Sequence, residues 1–197
     1  MVETHRRIID RVPLALTALR ALLAPVLVLL ACCWPSRVAF AACLVLGFLS
    51  DLFDGIIARR LGIATAELRR LDSAADTLFH LAALFAAWHL HESEIRAVAK
   101  PLAALAALEL TRYAYDWLKF RREASYHMWS SKLWGLALFA GFLALLAGNV
   151  GGGPVALAAY VGIAADLEGL AISATLRNWR ADVPTLLHAF EIRKGQA

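Results

Sequence analysis

The feature that most constrains the fold is a series of apolar runs, each long enough to cross a membrane. Hydrophobic residues make up 60% of the 197-residue chain and charged residues 18%. A soluble domain is only about half apolar and about a quarter charged. Runs of about the 17–25 residues that span hydrocarbon cover Leu14–Trp34, Arg37–Arg60, a segment starting near Arg70, Ile95–Lys119, Ser131–Ala147 and Val155–Leu176. Trp34-Pro35-Ser36, Gly62–Glu67, His89–Ser93, Arg121–Tyr126 and Gly148–Pro154 separate them. The sequence therefore predicts an all-α integral membrane protein of one domain, residues 1–197, with six transmembrane helices. The charged residues 1–11 are expected as an interfacial helix, and Trp179–Arg193 as an amphipathic tail helix.

Arg6, Arg7 and Arg11 before an apolar run imitate a secretory signal, and Leu29-Leu30-Ala31-Cys32 resembles a lipoprotein cleavage box. The run is longer than a signal core of about 7–15 residues, so it reads as a retained first span. Cys32, Cys33 and Cys43 all fall in apolar runs and read as small core residues, not as a disulfide framework or a zinc site.

On a six-span map, the side carrying both termini collects most of the Lys and Arg. The other side holds only Arg37, Arg96 and Lys100, with Arg112 inside a span. Cytoplasmic loops are the basic ones, so both termini are expected in the cytoplasm of a multi-pass inner-membrane protein. The net charge of +4 is spent along that face, and no nucleic-acid partner is expected.

Against this apolar background stands Asp51–Asp76, with two pairs of carboxylates. Asp51 and Asp54 are three residues apart, and Asp72 and Asp76 four apart. Each spacing puts both carboxylates on one helix face. Acidic residues favour helix starts, which suits Asp72 and Asp76, but Asp51 and Asp54 fall near a helix end, where the macrodipole disfavours them. Four carboxylates beside apolar helices call for a positive partner. A divalent cation is the economical one, and a metal beside Arg59 suggests phosphate chemistry. Cation transport is the competing reading, but it wants acidic residues near the bilayer midplane. Here they cluster toward the cytoplasmic end.

The pattern is specific. Asp51-x-x-Asp54-Gly55-x-x-Ala58-Arg59, then eight residues, one position, three residues, Asp72, three residues and Asp76 resembles the signature of the CDP-alcohol phosphotransferases. Pro13-Leu14-Ala15-Leu16-Thr17-Ala18-Leu19-Arg20 resembles the N-terminal Pro-Asn-x-x-Thr-x-x-Arg segment of that family, with Leu14 in place of Asn. Ser131-Lys132 resembles the Gly-Lys of phosphatidylglycerophosphate synthases. One position departs from the signature: Leu68 stands where the family carries a second glycine.

The resemblance implies six membrane helices and transfer of a phosphatidyl group from CDP-diacylglycerol to a small polar alcohol, with release of CMP. It implies that Asp51, Asp54, Asp72 and Asp76 hold one or two Mg²⁺ or Mn²⁺ ions, with Asp76 also the general base. Gly55, Arg59 and Thr65 take positions that contact the CDP moiety. A homodimer in the bilayer is implied as well. Arg112 lies three residues after Glu109, on the same face. It is read either as a member of a buried ion pair or, with Lys132, as part of a basic pocket for a phosphorylated acceptor. Glycerol 3-phosphate is the expected acceptor; inositol, inositol phosphate, serine or another alcohol are the alternatives, as is a non-catalytic relative that binds lipid or nucleotide. His80, four residues after Asp76 on the same face, reads as a satisfied core histidine ahead of the alternative, a partner of that carboxylate.

Overall fold

The computed structural model describes residues 12–61, 66–122 and 124–195, with backbone alone at 58–61, 66, 67 and 69. The expected N-terminal surface helix, Thr65 and the side chain of Arg59 lie outside the described residues. Eight α-helices and no strands occur among those described: α1 (Val12–Cys33), α2 (Arg37–Leu61), α3 (Ala66–Leu90), α4 (Glu92–Ala97), α5 (Ala99–Phe120), α6 (Trp129–Leu146), α7 (Gly153–Thr175) and α8 (Leu186–Lys194).

The protein is an all-helical membrane protein. Among the described residues four segments are long and apolar enough to cross a bilayer: Val12–Cys33, Arg37–Ile57, Trp129–Leu146 and Gly153–Thr175. The expected count of six spans is not reached on length and composition. The remaining long helices, α3 with 25 residues and α5 with 22, carry charge within them: Asp72 and Asp76 in one, Glu109, Arg112 and Asp116 in the other.

Three expected boundaries are corrected. The fourth run is not one helix, because α4 stops at Ala97 and α5 restarts at Ala99. Pro101 explains the break, since inside a continuous helix its ring would strike the Ala97 carbonyl. Val98 N instead bonds to Ile95 O at 3.2 Å, and Leu102 N to Val98 O at 3.2 Å. The His89–Ser93 loop shrinks to a single non-helical residue, His91, because the segment holds no Gly or Pro to end α3 earlier. The tail helix begins only at Leu186, because Pro184 disfavours helix in the residue before it. Thr185 caps it by accepting from His188 N.

The described residues form two compact units. The first runs to Glu92 and includes Phe142–Val150. In it α1 packs against both α2 and α3. The buried stripe of α1 is Thr17, Arg20, Leu23, Ala24, Leu27 and Ala31, spaced as one helix face. Phe40, Cys43 and Leu44 are buried from α2, and Ala75, Phe79, Ala82, Ala83, Ala86 and Ala87 from α3. The stripe is apolar toward Ala31 and polar toward Thr17, so the same packing that buries Leu27 also buries Arg20. Gly47 of α2 sits under the ring of Phe79, and a Cβ there would lie 2.3 Å from its nearest carbon.

In the second unit, Ser93–Gly141 and the residues from Gly151 onward, α7 packs against α5 and α8. Tyr126, Met128, Ile172, Leu176, Val183 and Ala189 form its core. Glu94 Oε2 accepts from Gly152 N at 2.6 Å, so a carboxylate meets the start of α7, where negative charge is favoured.

Gly47→Ala is expected to push the Phe79 ring away and lower stability by about 1–3 kcal/mol, the usual cost of overpacking. Thermal unfolding in detergent measures it. An unchanged melting temperature would contradict this packing.

Candidate active site

The polar end of the first unit is built around one side chain. Arg20 projects from α1 with its side chain 1% exposed, and its guanidinium reaches four carboxylates from two helices. Nη1 donates to Asp51 Oδ1 at 2.8 Å and to Asp76 Oδ1 at 3.4 Å. Nη2 donates to Asp72 Oδ1 at 2.9 Å and also to Asp54 Oδ2. The planar fork of Arg suits this, since its N–H donors diverge in fixed directions.

The helices dictate the convergence. Asp51 and Asp54 are one turn apart on α2, and Asp72 and Asp76 one turn apart on α3. Because α1 packs on both helices, its Arg20 can touch both pairs. Asp54 is buried with its side chain 5% exposed, whereas those of Asp51, Asp72 and Asp76 are 50%, 36% and 43% exposed. The cluster thus has a dry side at Asp54 and an open side at the other three.

Two further side chains hold the carboxylates in place. Thr17 donates from Oγ1 to Pro13 O at 3.1 Å and lies 3.5 Å from Asp54 Oδ2. His80 Nδ1 donates to the backbone carbonyl of Asp76 at 2.9 Å and sits 3.3 Å from its Oδ1. The preferred reading of a core histidine is thus corrected: its side chain is 28% exposed and its polar contacts are to Asp76.

The donor set fits a hard divalent cation. Asp51, Asp54 and Asp72 each offer an oxygen, all within 4.8 Å of one another. Oxygen-only ligands suit Mg²⁺ and Mn²⁺ and leave no place for a soft thiolate-binding metal. Gly55 follows Asp54 on α2, half-buried and without a side chain to obstruct approach. Leu68 lies near the start of α3, four residues before Asp72.

The profile of the CDP-alcohol phosphatidyltransferases matches residues 11–168. The chain belongs to the CDP-alcohol phosphatidyltransferase family. No curated protein and no solved structure matches it. This is a transferase family, and its reaction moves a phosphatidyl group from a CDP-alcohol to an acceptor. The match begins before Pro13 and so takes in the Thr17 and Arg20 segment as well as all four aspartates.

The two residues expected at an acceptor pocket belong to the second unit. Arg112 Nε makes an ion pair with Asp166 Oδ1 of α7 at 2.9 Å, so the ion-pair reading of Arg112 holds and its partner is Asp166. Lys132 is exposed, with Nζ 4.2 Å from the centre of the Trp129 ring, a cation–π contact. Glu168 accepts from Leu186 N at 3.2 Å.

Arg20 stands in the sequence within the Pro13–Arg20 segment and inside the first apolar run, with no partner evident there. Its signal was present: an arginine embedded in an otherwise apolar span must face a counter-charge.

Arg20→Gln leaves four carboxylates without their cation. In chelator-containing buffer it is expected to cost about 2–4 kcal/mol, somewhat below the full value for a broken buried pair because three of the carboxylates are partly solvated. A melting curve checks this, and wild-type stability in the variant would contradict the central role of Arg20.

Proposed function

We propose that the chain transfers the phosphatidyl group of CDP-diacylglycerol to the hydroxyl of a small polar alcohol and releases CMP. The observation that carries this reading is the convergence of Asp51, Asp54, Asp72 and Asp76 on one point, in a chain of this family.

In the proposed reaction the acceptor oxygen attacks the phosphorus that carries the diacylglycerol. A new P–O bond forms there, the P–O bond to CMP breaks, and the acceptor proton passes to Asp76. Asp76 suits the base role: its carboxylate is 43% exposed and His80 and Arg20 fix its position. Asp51, Asp54 and Asp72, with Asp76, would hold one or two Mg²⁺ or Mn²⁺ ions, which supply charge stabilisation to the pyrophosphate and the leaving CMP. Gly55 admits the nucleotide close to α2. Arg59 and Thr65 are our candidates for contacts to the CDP moiety, on the strength of the signature alone.

Glycerol 3-phosphate is the acceptor we favour, which would make the chain a phosphatidylglycerophosphate synthase. Ser131-Lys132 supports it. Arg112 and Lys132 are the candidates to receive the acceptor phosphate. A guanidinium has five N–H donors, so pairing with Asp166 leaves Arg112 with others to offer. We read the whole chain as one domain, because the family match runs through both compact units. The basic residues on one side of the map support cytoplasmic termini and a cytoplasmic active site in an inner membrane. A homodimer within the bilayer completes the reading.

Leu68 favours a second reading, a relative that binds lipid or nucleotide without turnover. One assay separates the two. Purified protein with CDP-diacylglycerol and Mg²⁺ or Mn²⁺ is offered glycerol 3-phosphate, inositol, inositol phosphate, serine, choline or buffer. CMP release stimulated by glycerol 3-phosphate is expected. Stimulation by another alcohol would move the acceptor assignment, and silence with all of them would favour the non-catalytic reading.

Asp76→Asn is expected to lower kcat by at least about a hundredfold, the scale of a lost general base, while CDP binding persists. Full turnover would overturn the base assignment. Leu68→Gly is expected to keep or improve the affinity for CDP-diacylglycerol, measured by isothermal titration. Weaker binding would show that Leu68 is itself a donor contact.

A further inference from the structure

Arg20 occupies the middle of the site where the metal reading places a cation. Its two terminal nitrogens take one oxygen from each of the four carboxylates. Its side chain is 1% exposed, and its Nε has no hydrogen-bond partner. Such a side chain cannot simply swing into water, because its stem is packed into the buried face of α1 between α2 and α3. A divalent ion entering the cluster meets a positive charge already at the focus of the same oxygens.

We propose that Arg20 is an internal counter-cation that competes with divalent metal for the four carboxylates, and so sets how tightly the site loads. This inference rests on the reading of the cluster as a metal site. The charges give the competition its direction. Four carboxylates face one guanidinium, so the cluster keeps an excess of negative charge that still attracts a divalent ion. The guanidinium repels that ion over a few ångströms in a partly desolvated setting, where Coulomb terms are several-fold stronger than in bulk water. The fork also turns one oxygen of each carboxylate toward Arg20, and metal coordination must reclaim some of those oxygens. The result is a site stable without metal and only moderately avid for it. A purely structural Arg20 would do the opposite, since a carboxylate cluster that needed Arg20 to hold its shape would bind metal worse without it.

The test is Mn²⁺ alone, titrated into detergent-solubilised full-length protein, with free Mn²⁺ followed by electron paramagnetic resonance. Arg20→Gln is expected to bind Mn²⁺ at least about tenfold more tightly than wild type, the scale of removing one nearby positive charge. Affinity equal to or weaker than wild type overturns the proposal. Where Arg20→Gln does not stay folded, Arg20→Lys decides. A lysine ammonium has three donors on one point and cannot fork to all four carboxylates, so it too is expected to bind Mn²⁺ more tightly than wild type, and a lysine variant that does not overturns the proposal. Asp54→Asn in wild type is expected to weaken the binding. Mn²⁺ binding untouched by Asp54→Asn, or absent from every variant, would instead show that the cluster is not the metal site, a different failure from a metal site indifferent to Arg20.

Discussion

The first unit depends on one interaction, the buried guanidinium of Arg20 held among four carboxylates. Each side offsets the cost of the other. A lone arginine in a helix of this apolarity would be costly to bury, and four carboxylates from two helices would repel one another. Together they join three helices at their polar end, while apolar packing of Leu27, Phe40, Phe79 and a run of alanines joins them elsewhere. Because α1 packs on both α2 and α3, one side chain of α1 spans both aspartate pairs.

This arrangement ties the architecture to the chemistry of the family. Phosphatidyl transfer needs negative charge on a pyrophosphate to be offset and a hydroxyl proton to be removed at one place. The all-oxygen cluster, with one dry carboxylate, Asp54, and three partly solvated ones, is a donor set that a hard cation would fit, and it is open on one side. The second unit holds its charges differently. Arg112 and Asp166 pair between α5 and α7, and Lys119 Nζ donates to the carbonyls of Ser173 and Ala174 at the end of α7 at 2.7 and 3.2 Å. These polar contacts join α5 to α7 alongside the apolar residues that α7 buries.

Much of this was legible in the sequence because its causes are local. Helix spacing alone paired Asp51 with Asp54 and Asp72 with Asp76, and the fixed distances between them carried the family. Helices α1, α2, α6 and α7 fall within a few residues of the apolar runs that predicted them. What was not legible depends on contacts between distant segments or on single breakers. Pro101 divides the fourth run and Pro184 shortens the tail, although both are plain in the sequence once weighed. Asp51 and Asp54 lie near the end of α2, which closes at Leu61, one residue past the Arg60 that the apolar run predicts. Their cationic partner, Arg20, lies more than thirty residues away in the chain. No periodicity within α1 could name its four partners. The pairing of Arg112 with Asp166 is hidden for the same reason, and the nearby Glu109 misdirects toward a local pair.

The most direct measurement of the central claim is a double-mutant cycle between Arg20 and Asp54, read as unfolding free energy in detergent without divalent metal. The buried contact between them predicts strong coupling. Asp54→Asn should relieve the cluster once Arg20→Gln has removed its cation, giving a coupling energy of at least about 1.5 kcal/mol, within the range for residues in one ionic network. Additive effects of the two substitutions would contradict the account, and Arg20 would then be a passenger in the site, not its keystone.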